Sequence, residues 1–109
     1  MGNFPIKLHT FHDATSVVGN GVELIVESGI SVINIEFTGS AAYSTTLQGS
    51  LDGVSWYGLQ GINLSNLATS INVISNNLYQ VDLTGLHRFR VKLDSISGGT
   101  LSVVGLAVN

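Results

Sequence analysis

The strongest constraint in this chain is a period of two. Ser31 to Thr38 reads SVINIEFT, which places Ile33, Ile35 and Phe37 on one side of an extended strand and Asn34, Glu36 and Thr38 on the other. Successive side chains of a strand point to opposite faces, so this segment carries one face for a core and one for solvent. Tyr43 to Leu51 alternates in the same way, with Tyr43, Thr45, Leu47 and Leu51 opposed to Ser44, Thr46, Gln48 and Ser50. Tyr79, Val81 and Leu83 alternate with Gln80 and Asp82. No apolar period of 3.6 persists for three turns, which argues against a helical or α/β domain.

The breaks between these runs have the chemistry of turns. Gly19-Asn20-Gly21, Ser28-Gly29, Gly39-Ser40, Asp52-Gly53, Ser75-Asn76-Asn77 and Ser97-Gly98-Gly99 are rich in the residues that reverse a strand. Between them lie further strand candidates: Ile6 to Phe11, a short edge piece from Thr15 to Val18, Val22 to Val26, Val54 to Leu59, a weaker Thr69 to Ile74, Leu86 to Leu93, and Leu101 to Val108. Gln60 to Asn66 reads as loop. The spacing predicts an all-β fold, an antiparallel β-sandwich or jelly roll of about eight or nine short strands. In the last strand Leu101, Val103 and Ala107 face one way and Val104, Leu106 and Val108 the other, so neither side is polar. Such a strand is central in its sheet or covered by another subunit.

At 109 residues the chain has room for one compact domain, 1–109. It has no cysteine, so packing rather than disulfides or thiolate metal sites has to hold the fold. Only 10% of the residues are charged, against about 25% in an average soluble domain. The surface is therefore neutral Ser, Thr and Asn, or apolar and covered by partners. A net charge of −3 gives no reason to expect nucleic-acid binding, which depends on neutralising phosphates. No apolar run approaches the roughly 20 residues of a membrane helix. The opening MGNFPIKLHT lacks the apolar core and cleavage site of a secretory signal, and Ile6 stands where a myristoylation signal needs Ser or Thr. Synthesis in the cytoplasm without export, and no membrane partner, are the expectations.

The stretch SLDGVSWYGL, Ser50 to Leu59, joins a turn-prone Asp-Gly pair to the one tryptophan. Asp52 and Gly53 are expected to form a tight hairpin turn, because this pair readily takes positive φ. Trp56, early in the returning strand, is expected to be a core anchor that sets the hairpin register. Tyr57 then points the other way and is the better candidate to meet a partner. Arg88, Arg90 and Lys92, three of the four basic residues, share one face of a strand whose other face carries His87, Phe89, Val91 and Leu93. They read either as a solvated stripe paired with Glu36, Asp82 or another carboxylate, or as a docking stripe for an acidic neighbouring subunit. Val104, Leu106 and Val108 complete the partner-binding candidates.

Chemistry beyond binding finds little support. His9, His12 and Asp13 form a short cluster, but an extended strand sends His9 and His12 to opposite faces, which disfavours joint metal ligation. There is no G-x-S-x-G elbow, H-E-x-x-H motif, Walker loop or carboxylate pair on a common face. No catalytic residue, metal ligand or cofactor is expected. Asn63-Leu64-Ser65 is a glycosylation sequon in form only, since no export signal accompanies it.

Three segments together carry a family resemblance: SLDGVSWYGL, then YQVDLTGLHRFRV from Tyr79 to Val91, then SGGTL from Ser97 to Leu101. Over roughly the last two thirds of the chain they resemble the small β-sandwich virion proteins of tailed bacteriophages, with head-decoration, head-fibre and tail-associated members. The hairpin and the Arg-bearing strand are also distantly similar to galactose-binding-like jelly rolls. The resemblance implies a structural virion protein, most simply a capsid decoration (cement) protein that oligomerises and fastens to the major capsid protein lattice. Its partners would be copies of itself, with a trimer favoured, and other virion proteins. The alternative is a tail-associated or head-fibre carbohydrate-binding module, with a glycan held on exposed aromatics.

Overall fold

The computed structural model describes residues 7–27 and 29–108. The expected strand start at Ile6, the Met-Gly-Asn opening and Ser28 of the Ser28-Gly29 turn lie outside the described residues. Within them the chain forms eleven strands and no helix: β1 (Lys7–Thr15), β2 (Leu24–Ile25), β3 (Val32–Gly39), β4 (Ala42–Ser50), β5 (Tyr57–Gly58), β6 (Gly61–Asn63), β7 (Thr69–Ser70), β8 (Asn72–Val73), β9 (Leu78–Asp82), β10 (Arg88–Ser97) and β11 (Leu101–Val108). They make two packed antiparallel sheets. One runs β1-β11-β3-β9-β6-β7 and the other β2-β10-β4-β5, with β8 also paired to β4.

The long strands are the ones whose alternation is clearest in the sequence. Ile33, Ile35 and Phe37 of β3 face inward with Leu101, Val103 and Ala107 of β11 and Tyr79 and Val81 of β9. Opposite them Tyr43, Thr45 and Leu47 of β4 stand beside Phe89, Val91 and Leu93 of β10. Aromatic rings bridge the two layers: Phe11 meets Phe89 edge to face at 5.5 Å, and Phe37 stacks on Tyr43 at 6.3 Å. Full burial of one such large apolar side chain contributes about 1.5–3 kcal/mol, so this shared layer dominates the stability. Burial, with a smaller push from Tyr79, raises the Tyr43 phenol to about 12. Its hydroxyl donates to Asn76 at 3.0 Å.

Consecutive long strands change sheet instead of pairing with each other. β3 passes to β4 through Gly39-Ser40, and β10 passes to β11 through Gly98-Gly99. Gly39 takes φ 145°, and a Cβ there would lie 2.2 Å from the Thr100 carbonyl oxygen, so only glycine lets the two corners cross. A further crossing explains why eleven strands form where about eight or nine were expected. The weak Thr69 to Ile74 strand is two pieces, β7 in one sheet and β8 in the other, divided at Ile71. The expected loop at Gln60 to Asn66 contains β6, because Ile62 and Asn63 find partners in Gln80 and Tyr79. The expected strands at Thr15 to Val18 and Val22 to Val26 shrink to the end of β1, a bridge between Gly19 and Leu93, and the Leu24–Ile25 pair.

Between that bridge and β2 the edge of β10 has no strand beside it. The carbonyl of Val91 there accepts a hydrogen bond from the buried His12 Nε2 at 2.7 Å. A register shift between Thr10 and His12 puts both Phe11 and His12 on the core side of β1. The bulge therefore lets one strand supply both an aromatic for the core and a donor for the opposite sheet. The expectation that His9 and His12 point apart is corrected by this bulge. His12→Ala is expected to destabilise the fold by about 1–3 kcal/mol from the stranded carbonyl alone, with a further penalty for the void. Urea unfolding should show this beside a near-silent Thr10→Ala on the outer face.

Candidate functional site

The loop from Ser50 to Trp56 is wider than the tight hairpin expected at Asp52-Gly53. β5 pairs with β4 only at Gln48–Gly58 and Gly49–Tyr57, so the reversal takes the whole intervening segment. Two side chains organise it. Ser50 Oγ accepts from the Gly53 amide at 2.8 Å, and Asp52 Oδ1 accepts from the Val54 and Ser55 amides at 2.8 Å each. Asp52 competes for backbone donors that a hairpin would use, which is why the Asp-Gly pair opens a loop here. Gly53 does take the positive φ expected of it, 78°. The Ser55 and then the Val54 amide hold the Asp52 carboxyl below the usual carboxylate range.

Trp56 is corrected from core anchor to surface residue. It is half-buried on the outside of the β2-β10-β4-β5 sheet, with the Arg90 guanidinium 4.0 Å above its ring. Arg90 Nε donates to Gln48 Oε1 at 2.8 Å, so the guanidinium is held from two sides. Arg90 covers one face of the indole, which is thereby not open as a stacking platform. Tyr57 stands opposite Gly49, on the row that leads inward, yet at the edge strand it is 67% exposed. The parity expected for this aromatic pair is therefore reversed.

Arg88, Arg90 and Lys92 do share the outer face of β10, over the buried Phe89, Val91 and Leu93. His87, expected on the inner row, precedes the strand and is exposed. Their carboxylate partners are not Glu36 or Asp82, which lie on the other sheet. Arg88 pairs with Glu23 at 3.1 Å and Lys92 with Asp94 at 3.8 Å. Lys7 pairs with Glu27, so among the described residues Arg90 is the one lysine or arginine without an ion pair.

The opposite outer face belongs to the six-stranded sheet. β11 lies in its interior, between β1 and β3, and turns Val104, Leu106 and Val108 outward. Register carries two rows straight across: Leu8, Leu106, Asn34, Gln80 and Ile62 in one, Thr10, Val104, Glu36 and Leu78 in the other. Leu8 is 72% exposed and Leu78 43%. With Asn34, Glu36, Val104 and Leu106 they line a shallow depression of about 300 Å³. A second, of about 290 Å³, opens on the other side of Glu36 toward Asn76 and Asn77. The Glu36 carboxylate makes no hydrogen bond or ion pair among the described residues. Asp82 on this face accepts from the Thr84 amide, which lowers its carboxyl below the ordinary range.

His9 and His12 are structural. His9 Nε2 hydrogen-bonds the Val22 carbonyl at 2.9 Å and its ring packs on Phe11, while His12 holds Val91. Among the described residues no group of three or more His, Asp or Glu lies together as a metal site would need. Asn63 of the sequon is buried, with its amide toward the Tyr79 hydroxyl. Sequence reasoning placed the basic stripe and the outer row of β11. It missed Leu8 and Leu78 beside that row, the Arg90–Trp56 stack and the isolation of Glu36, all of which depend on strands distant in sequence.

Two outcomes follow. Trp56→Ala should cost about 1 kcal/mol or less, the scale of an exposed cation–π contact, against about 3–5 for Phe89→Ala in denaturant unfolding. Because the folded Asp52 carboxyl lies below its unfolded value, its contribution is complete above the ordinary carboxylate range and disappears as pH falls through the folded value. Protection of the Val54 and Ser55 amides, taken as exchange relative to the intrinsic rate at each pH, should fall over that acid interval, and Asp52→Ala should remove the pH dependence of the protection.

A family model described as XepA matches residues 6–107. Solved structures with the same fold include the SPBc2 prophage-derived protein YomS, 19% identical with a TM-score of 0.92, covering all of this chain and 97% of that one. The PBSX exported protein XepA is 22% identical with a TM-score of 0.95, covering all of this chain and 39% of that one. The chain thus corresponds to well under half of the XepA structure. No curated protein matches by sequence.

Proposed function

The chain belongs to the XepA family, and on that premise we propose that it is a non-catalytic phage structural protein that self-associates and attaches to a larger phage assembly. The observation that carries this reading is the outer face of the six-stranded sheet. Leu8, Leu78, Val104 and Leu106 stand together there around one carboxylate, in a chain with few charges to spare for solvation. Apolar side chains grouped on a rigid sheet favour a covered state over a solvated one. Binding would act by mass action: each copy buries area against its neighbours and stabilises the assembled state. A closed ring of copies would also cover the exposed sheet edges at β1 and β2.

The prophage origin of YomS supports a phage role, and decoration of the capsid surface is the placement we favour. The description of XepA as exported favours a second placement, outside the cytoplasm during phage release. Gradient sedimentation of particles from an induced lysogen separates them. Comigration with the capsid, and lower heat stability of particles lacking the chain, are the expected results. Recovery only in the envelope or medium fraction would transfer the protein to the second placement.

A further inference from the structure

We propose that Asn20 is a self-modification site, at which the side-chain amide cyclises onto the Gly21 nitrogen and opens to isoaspartate, loosening the segment that ties β1 to β10. Of the asparagines in the chain, only Asn20 is followed by glycine. It is exposed and lies outside any strand. Its side chain makes no hydrogen bond among the described residues, where every other asparagine has at least one. The Gly21 amide likewise donates to no protein group there, so electrophile and nucleophile are both free.

The fold itself keeps the nucleophile bare. Gly21 takes φ 70°, and a Cβ there would lie 2.6 Å from the Phe11 carbonyl oxygen and 2.7 Å from His12 Nε2. Packing against the β1 bulge therefore requires glycine at this position, and a glycine amide has no side chain to shield it. The residues on either side are fastened. Gly19 exchanges two backbone hydrogen bonds with Leu93 of β10, at 3.2 and 2.8 Å. Val22 donates to the Phe11 carbonyl of β1 at 3.0 Å, and its own carbonyl meets His9 Nε2 at 2.9 Å.

The reaction needs only water. The Gly21 nitrogen, deprotonated by hydroxide, attacks Asn20 Cγ. The new C–N bond closes a cyclic imide as the Cγ–Nδ2 bond breaks and ammonia leaves with a proton from solvent. Water then adds to one of the two ring carbonyls. Opening at Cγ yields aspartate, whereas opening at the α-carbonyl yields isoaspartate, whose main chain runs through Cβ and Cγ. The isoaspartate backbone is longer by one carbon, a bond of about 1.5 Å. That length is inserted between two anchored residues, and the Gly19–Leu93 bridge, which belongs to no strand pairing, is the anchor that gives way. Each event also adds a negative charge close in sequence to Glu23, the partner of Arg88.

Ageing the folded chain in mildly alkaline buffer tests the site. Peptide mapping by mass spectrometry, with isoaspartyl methyltransferase as the probe of the product, is expected to find conversion at Asn20 ahead of every other asparagine, accelerating with hydroxide concentration. Asn20→Ser should abolish that signal and leave the melting temperature of fresh protein unchanged. Aged protein should lose amide protection at Gly19 and Leu93, whereas freshly purified Asn20→Asp, which carries the charge without the extra carbon, should keep it. An Asn20 that converts no faster than another asparagine, or far more slowly than in the same chain unfolded in urea, would overturn the self-modification. Isoaspartate formed with the Gly19 and Leu93 protection intact would overturn the release of the bridge.

Discussion

The packing of two inner rows of side chains governs everything else in this molecule. Phe11 against Phe89 and Phe37 against Tyr43 tie the sheets together, and the aliphatic side chains of β3, β11, β4 and β10 fill the space between. Once those rows face inward, the period of two leaves no choice for the rest. The residues between them must face outward, whether polar or apolar. Glycine tunes the fit: a Cβ on Gly105 would lie 2.6 Å from Ile33 and 3.0 Å from Phe11, so this gap in the inner row of β11 is the space the aromatic ring uses.

The bulge in β1 adds a second kind of bond to that layer. By turning His12 inward beside Phe11, it sends a donor across to a stretch of β10 that lacks a strand at its edge. The sheets are thus joined by a polar contact as well as by apolar area. It serves a backbone group that burial would otherwise leave unpaired.

The two outer faces inherit opposite characters from this arrangement. The β10 face collects Arg88, Arg90 and Lys92, and local carboxylates pair with all but Arg90. The β11 face collects leucines and valines around Glu36. The likeness of the chain to part of the longer XepA structure shows that this sandwich occurs both alone and as a portion of a larger chain.

Much of this was legible in sequence order. The all-β class, the inner rows of β3, β9 and β11, those of β4 as far as Leu47 and of β10 from Phe89, the shared face of Arg88, Arg90 and Lys92, and the two-sided apolar character of β11 all follow from local alternation. Leu51, expected inward, is exposed and Ser50, expected outward, is buried, because the chain leaves β4 there for the Asp52 loop. The reading of β11 as central or covered is met by its interior place in the sheet, whereas the readings of the Asp52 turn and of the two histidines failed. Asp52 was read as a hairpin residue, but its carboxylate captures the Val54 and Ser55 amides and opens a loop, which releases Trp56 from the core and places it under Arg90. His9 and His12 were read as opposed until a bulge put them on one side. By itself the sequence determined the fold class and the inward faces, because the period of two is written in neighbouring residues. Only the tertiary structure decided the pairing of Glu23 with Arg88, the stack of Trp56 with Arg90 and the isolation of Glu36. Those depend on contacts between residues tens of positions apart, for which no local pattern exists.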